Sequence, residues 1–334
     1  MKKYTLALTG SDRTREYLVS ALEGGFLSHA YIIEGAEGSG RHTLVRRLLM
    51  AMACENDRAP CGVCPSCMKI EAGVAVDVRY IRPAEGKTEL TVDLIRGIYD
   101  TVGMAPSELD FKAYVIESGE KMNANAQNAF LKLFEEPPSN VYFFIITQDA
   151  SHLLPTIRSR ALTLRLDKLD RRQMELVLDG VGIPDDEKRR RAIALADGSA
   201  GAAMRIYRDD GDAVRLRSVC DGAVGLLLLP GSDKLGFITY HQKNVKKTDE
   251  LCLLWSLLQR ALRDVMLCRC GSLYSPAYFS DTTEAEKYSE NVSDKAVIAC
   301  QDVISELLAL SDTPLNLQLT VTEFASRLWD AHLL

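Results

Sequence analysis

Residues 32–49 run IIEGAEGSGRHTLVRRLL. Ile32 and Ile33 form an apolar run that passes into a turn carrying Gly35, Gly38 and Gly40. Beyond the turn, Leu44, Val45, Leu48 and Leu49 recur at helical spacing. Strand, glycine-rich turn and helix together make the layout of a phosphate-binding loop, in which backbone N–H groups at a helix N-terminus wrap an anion. Loops that work on triphosphates continue with lysine and then serine or threonine. This chain has Arg41 and His42 instead. Arg41 keeps a positive charge, but its planar fork is bulkier and aimed differently from an ammonium. His42 offers nitrogen where hard magnesium prefers oxygen. Thr43 has a hydroxyl, turned about 100° further round the helix. Alone, the segment also fits an ordinary strand-to-helix turn; the downstream strand order favours the phosphate loop.

Outward from this stretch, the pattern predicts a helix over 12–24, strands at 30–34, 77–83, 112–118, 141–148 and 162–166, and helices at 91–104 and 125–136, the last stopped by Pro137-Pro138. Strands alternating with helices predict an α/β domain whose parallel sheet is covered on both faces. From about residue 168 strands give way to helices, the longest at 251–268 and 294–311. In the first of these, Leu251, Leu254, Trp255, Leu258, Leu262 and Val265 share one stripe. Residues 271–293 read as the most loop-like segment.

The 334 residues are enough for two or three domains, with 47% hydrophobic and 26% charged residues. No apolar run is long enough for a membrane span, and the amino-terminal sequence lacks a targeting segment, so a cytoplasmic location with no membrane partner is expected. The net charge of −6 argues against a chain that grips DNA unaided.

The second half of a hydrolytic site would lie at the end of a buried strand, where one acid holds magnesium through water and a second activates the attacking water. Here AYVIESGEKM places Glu117 and then Ser118 at that point, and Ser118 cannot act as a general base. Two substitutions thus weaken the same chemistry, and little or no hydrolysis is expected.

The stretches LSHAYIIEGAEGSGR, KAYVIESGEKMNANAQNAFLKLFEEPP and LLPTIRSRA resemble the clamp-loader branch of the AAA+ ATPases. The match is strongest over 12–165. A four-cysteine insert after the first helix of the loop is a trait of the bacterial gamma/tau and delta-prime subunits. Together with the altered loop, it makes the resemblance closest to the delta-prime type. The resemblance implies an AAA+ P-loop domain over 1–166 with a zinc-binding insert at 54–67, a small helical lid over 167–210, and an all-α collar over 211–334. It further implies a hetero-pentamer with gamma/tau and delta subunits that places a sliding clamp on primer-template DNA in replication. A member with this loop would be a stator that hydrolyses no ATP itself, ATP binding at its own site being absent or non-productive. It would be a component of the polymerase holoenzyme and would lend an arginine to a neighbour's ATP. The motif for that arginine is Ser-Arg-Cys, here Ser159-Arg160-Ala161, making Arg160 the candidate finger acting in trans; without the motif, Arg158 and Arg160 would read as solvated residues beside a strand. Thr147 falls at the family's sensor-one position, and Gly201 at the lid position where active relatives carry an arginine. An ATP-hydrolysing gamma/tau-type motor and a zinc-stabilised DNA-binding module are the competing readings.

Cys54, Cys61, Cys64 and Cys67 lie within fourteen residues. Two consecutive C-x2-C steps supply four thiolates, enough to close a tetrahedral structural zinc site. Redox pairing is the lesser alternative.

Overall fold

The computed structural model describes residues 2–83, 89–135, 138–208, 210–272, 276–279, 281–309 and 316–333. The chain divides into two compact units, Met1–Asp185 with Ala196–Met204, and Asp186–Leu195 with Arg205–Leu334.

The first unit runs β1 (Lys3–Tyr4), α1 (Asp12–Gly24), β2 (Ala30–Glu34), α2 (Arg41–Ala53), β3 (Arg58–Ala59), α3 (Pro65–Glu71), β4 (Val78–Ile81), α4 (Val92–Val102), β5 (Lys112–Ile116), α5 (Ala124–Glu135), β6 (Val141–Thr147), α6 (Pro155–Arg158), β7 (Leu162–Arg165) and α7 (Arg171–Gly180). Five strands form one parallel sheet in the order β4-β5-β6-β2-β7. Every residue of β2 and β5 is buried, as expected for strands with helices over both faces. Alternation along the strands sorts the side chains into two cores. Tyr31, Ile33, Val115, Phe144 and Ile146 face one way, with residues of α1 and α2. Ile32, Tyr114, Ile116, Phe143 and Ile145 face the other, with residues of α4 and α5. The expected α/β class with a parallel sheet is therefore what forms. Of the two prolines expected to end α5, Pro137 lies outside the described residues.

The second unit is helical among its described residues: α8 (Glu187–Leu195), the end of α9 (Ala200–Arg208), α10 (Asp210–Leu228), α11 (Lys234–Asn244), α12 (Thr248–Arg269), α13 (Thr282–Ser289), α14 (Asp294–Ala309) and α15 (Leu317–His332). The stripe Leu251, Leu254, Trp255, Leu258, Leu262 and Val265 is wholly within its core. One expectation fails here. Residues 271–293 contain a helix, α13, whose N-cap Asp281 accepts from the Glu284 N–H at 2.9 Å; this cap holds a polar segment helical where hydrophobic periodicity is weak. The terminal residues of the helix expected over 294–311, from 310 on, lie outside the described residues. No described helix is long and apolar enough to cross a membrane.

Candidate functional site

The loop between β2 and α2 is shaped by glycine. Gly38 (φ 76°) and Gly40 (φ 96°) adopt left-handed backbone conformations that side chains rarely tolerate. The loop is also braced from a distant part of the chain. Ser199 Oγ donates to the Glu37 carbonyl at 2.7 Å, and the Gly201 N–H donates to the Gly38 carbonyl at 3.0 Å. A Cβ at Gly201 would stand 2.7 Å from Gly38 Cα. The lid position assigned to Gly201 therefore has no room for an arginine in this packing.

Above the loop is a cavity of about 520 Å3, lined by Leu8, Thr9, Gly38, Ser39, Arg41, Leu169, Val177 and Met204 among others. Its size is that of small-molecule sites. Arg41 is only 6% exposed, and Ser39 is 9% exposed. Neither Arg41 Nε nor Ser39 Oγ has a hydrogen-bond partner. Burial lowers the Arg41 pKa, while Glu120 and Glu37 raise it.

Glu117 directly follows β5, where the sequence placed it, but its carboxylate is occupied. Arg82 Nε lies 2.8 Å from one oxygen and His42 Nδ1 3.6 Å from the other. Burial lowers the His42 pKa below its ordinary value, with Glu117 pulling the other way. Ser118 takes a left-handed conformation (φ 60°) and starts a short 3-10 turn. Thr147 is fully buried; its hydroxyl donates to the Asp149 carbonyl at 2.9 Å, and its own carbonyl accepts from the Gly35 N–H at 3.3 Å. Thr147 thus pins the loop's first residue to β6. Arg82, Ser199 and Glu34 with its Arg165 fork (3.1–3.2 Å) escaped the sequence reading. No local pattern marks them, because each meets its partner across long sequence separations.

Arg160 sits at the corner between α6 and β7. Its guanidinium contacts Glu135 at 3.2 Å and the Thr156 carbonyl at 3.2 Å. The side chain is about two-fifths exposed, at 39%, while Arg158 is exposed.

The cysteines converge. The sulfurs of Cys54, Cys61, Cys64 and Cys67 all lie within 4.8 Å of one another, and all four are free thiols. Four Zn–S bonds of about 2.3 Å in a tetrahedron require sulfurs about 3.8 Å apart, so the set fits a tetrahedral ion after small adjustment. Helix ends supply the geometry: Cys54 caps the end of α2, and Cys64 precedes the Pro65 that opens α3. Val63 and Cys64 N–H groups donate to Cys61 Sγ at 3.4 and 3.3 Å, which lowers the Cys61 thiol to about 6. Burial pushes the Cys67 thiol up to about 12. β1 pairs with β3, and Lys2 Nζ donates to the Cys54 carbonyl at 2.5 Å, so the insert is sewn to the start of the chain.

Residues 10–170 match the family described as DNA polymerase III, delta subunit. The tau subunit of DNA polymerase III from Salmonella typhimurium is 34% identical over 207 residues, covering 60% of this chain and 32% of that protein. The delta' subunit from Pseudomonas aeruginosa is 31% identical over 184 residues, covering 54% of this chain and 56% of that protein. The chain thus spans about a third to a half of the length of these relatives. Among solved structures, a gamma subunit-related protein from Thermotoga maritima aligns with a TM-score of 0.43 and 17% identity, covering 94% of this chain and 99% of that one.

Proposed function

We propose that this chain is a clamp-loader subunit of the DNA polymerase III tau, gamma and delta' kind, the family that its residues 10–170 resemble, and that it does not hydrolyse ATP at its own loop. The observation that carries the reading is the state of Glu117. The acid that would organise a metal is held by Arg82 at 2.8 Å, His42 stands where a metal-ligating hydroxyl belongs, and Ser118 offers no base. In this reading Arg160 leaves Glu135 and stabilises charge developing on a triphosphate bound to the next subunit. The four thiols hold a structural zinc that orders the insert. Partners are gamma/tau and delta subunits, with the sliding clamp and primed DNA reached through the assembly. Residues 167–210 serve as lid and 211–334 as collar.

A gamma/tau-type motor that hydrolyses ATP is the second reading, and sequence similarity favours it: the tau subunit is matched at higher identity and over more of this chain than the delta' subunit. Reconstitution with gamma/tau and delta subunits separates the two. The first reading expects no turnover by the isolated chain, and expects Arg160→Ala to leave assembly intact while turnover at the adjoining site falls by at least about 10³-fold. Turnover by the isolated chain that is lost on Arg41→Ala would establish the motor instead.

A further inference from the structure

Resting on that reading, the same loop has a further property. The residues present do not fit a magnesium ion. A magnesium site needs near-octahedral oxygen ligands. His42 brings nitrogen to the ligand position, and the Glu117 carboxylate is already engaged by Arg82 at 2.8 Å. Yet the anion cradle is intact. Gly38 and Gly40 hold the left-handed turns that lead into the thirteen-residue helix α2. The Glu37 and Gly38 carbonyls are anchored by Ser199 and Gly201, which brace the loop. Arg41 and Ser39, both more than nine-tenths buried, present unpartnered polar atoms and line the cavity above it. Leaving buried polar atoms such as Arg41 Nε and Ser39 Oγ without hydrogen bonds costs free energy, and phosphate oxygens are acceptors that would complete both. The apolar wall formed by Leu8, Leu169, Val177 and Met204 continues from the loop and offers room for a nucleoside.

We infer that this loop binds a nucleoside polyphosphate without a divalent cation, with Arg41 supplying the charge on the phosphates and Arg82 keeping metal off Glu117. Such a ligand would be a fixed part of the subunit rather than a fuel, since no ion aligns water or leaving group.

The test is calorimetric titration of the full chain with ATP, in magnesium-free buffer and in excess magnesium. Chelators are left out so that the thiol cluster keeps any ion it holds. The expected Kd is the same in both buffers to within about threefold. Arg41→Gln, of preserved far-UV circular dichroism, should weaken binding in both by at least about tenfold, the scale of a charge-assisted hydrogen bond. Arg82→Ala should make ATP binding tighter in magnesium than without it. Magnesium tightening wild-type binding tenfold or more would overturn the inference, as would no binding at millimolar ATP. An Arg82→Ala protein indifferent to magnesium would overturn the role given to Arg82. None of these results touches the clamp-loader reading, which is decided by turnover and assembly in the reconstituted complex.

Discussion

Gly201→Ala tests whether the distant brace on the phosphate loop is a genuine close contact. Replacing glycine by alanine inside a helix ordinarily stabilises it by roughly 0.5–1 kcal/mol, through lower chain entropy in the unfolded state. Gly201 lies in the first turn of α9, and its backbone is not left-handed, so propensity alone predicts a gain. The packing predicts the opposite. The added methyl would stand 2.7 Å from Gly38 Cα and 3.2 Å from the Gly38 carbonyl oxygen, and both obstacles are backbone, which cannot rotate away. Overpacking of this kind costs about 1–3 kcal/mol. Weakening the Gly201 N–H bond to Gly38 adds up to about 1 kcal/mol. The net expectation is a loss of about 1–3 kcal/mol, which at roughly 2–4 °C per kcal/mol lowers the melting temperature of a unit this size by several degrees. Gly97→Ala is the internal control. Gly97 lies within α4, and a Cβ there meets nothing within 4 Å, so it should gain roughly 0.5–1 kcal/mol. Thermal unfolding followed by far-UV circular dichroism reads both. Opposite signs are required; a Gly201→Ala protein as stable as wild type, or more so, would refute the contact and with it the brace.

The cysteine cluster and the helical unit give further predictions. Metal analysis of reduced protein, purified without chelator, should find one zinc per chain; Cys64→Ser should reduce that content and lower thermal stability, and metal-free wild type would end the assignment. His241 is fully buried in the second unit, its Nδ1 donating to the Phe237 carbonyl at 2.8 Å. Burial lowers its pKa to about 4, against the bond to Phe237, which raises it. The unfolded chain protonates this group near pH 6.5 and the folded chain only near pH 4, so its contribution to stability is full above about pH 6.5. That contribution falls by roughly 3 kcal/mol as the pH drops through this window. Trp255 and Trp329 share the core with His241's neighbours Phe237 and Phe324, so tryptophan fluorescence during urea unfolding at several pH values follows the effect. His241→Phe should flatten the acid limb, and an unchanged slope would exclude His241 as its source.

The parts of the molecule that were legible in sequence are those specified locally. The inner strands β2, β5 and β6 are largely apolar and buried because both faces are covered. The loop announces itself through glycines that only a left-handed turn needs. The cysteines cluster within fourteen residues, a spacing at which one short loop can bring four sulfurs together. What was not legible depends on long-range meeting. Nothing near Arg82 or Glu117 foretells their pairing, and nothing near Gly38 foretells that Ser199 and Gly201 will brace it. The α13 helix is a different kind of miss. Its polar composition hid the periodicity, yet Asp281-Thr-Thr-Glu284 carries a helix-start signature, an aspartate cap followed three residues later by glutamate. The identities at 41, 42 and 118 were plain from the start, but only the geometry shows that Glu117 is itself engaged.

The short pairing of β1 with β3 adds a second tie between regions that α2 already joins, the phosphate loop at its start and Cys54 at its end. Residues 2–5 are held against the cysteine insert, and Ala7, Leu8 and Thr9, immediately after them, form part of the cavity wall. A protein shortened by those first nine residues would surrender a strand beside the thiols and one side of the cavity in the same cut, so amino-terminal trimming would register simultaneously at both ends of α2.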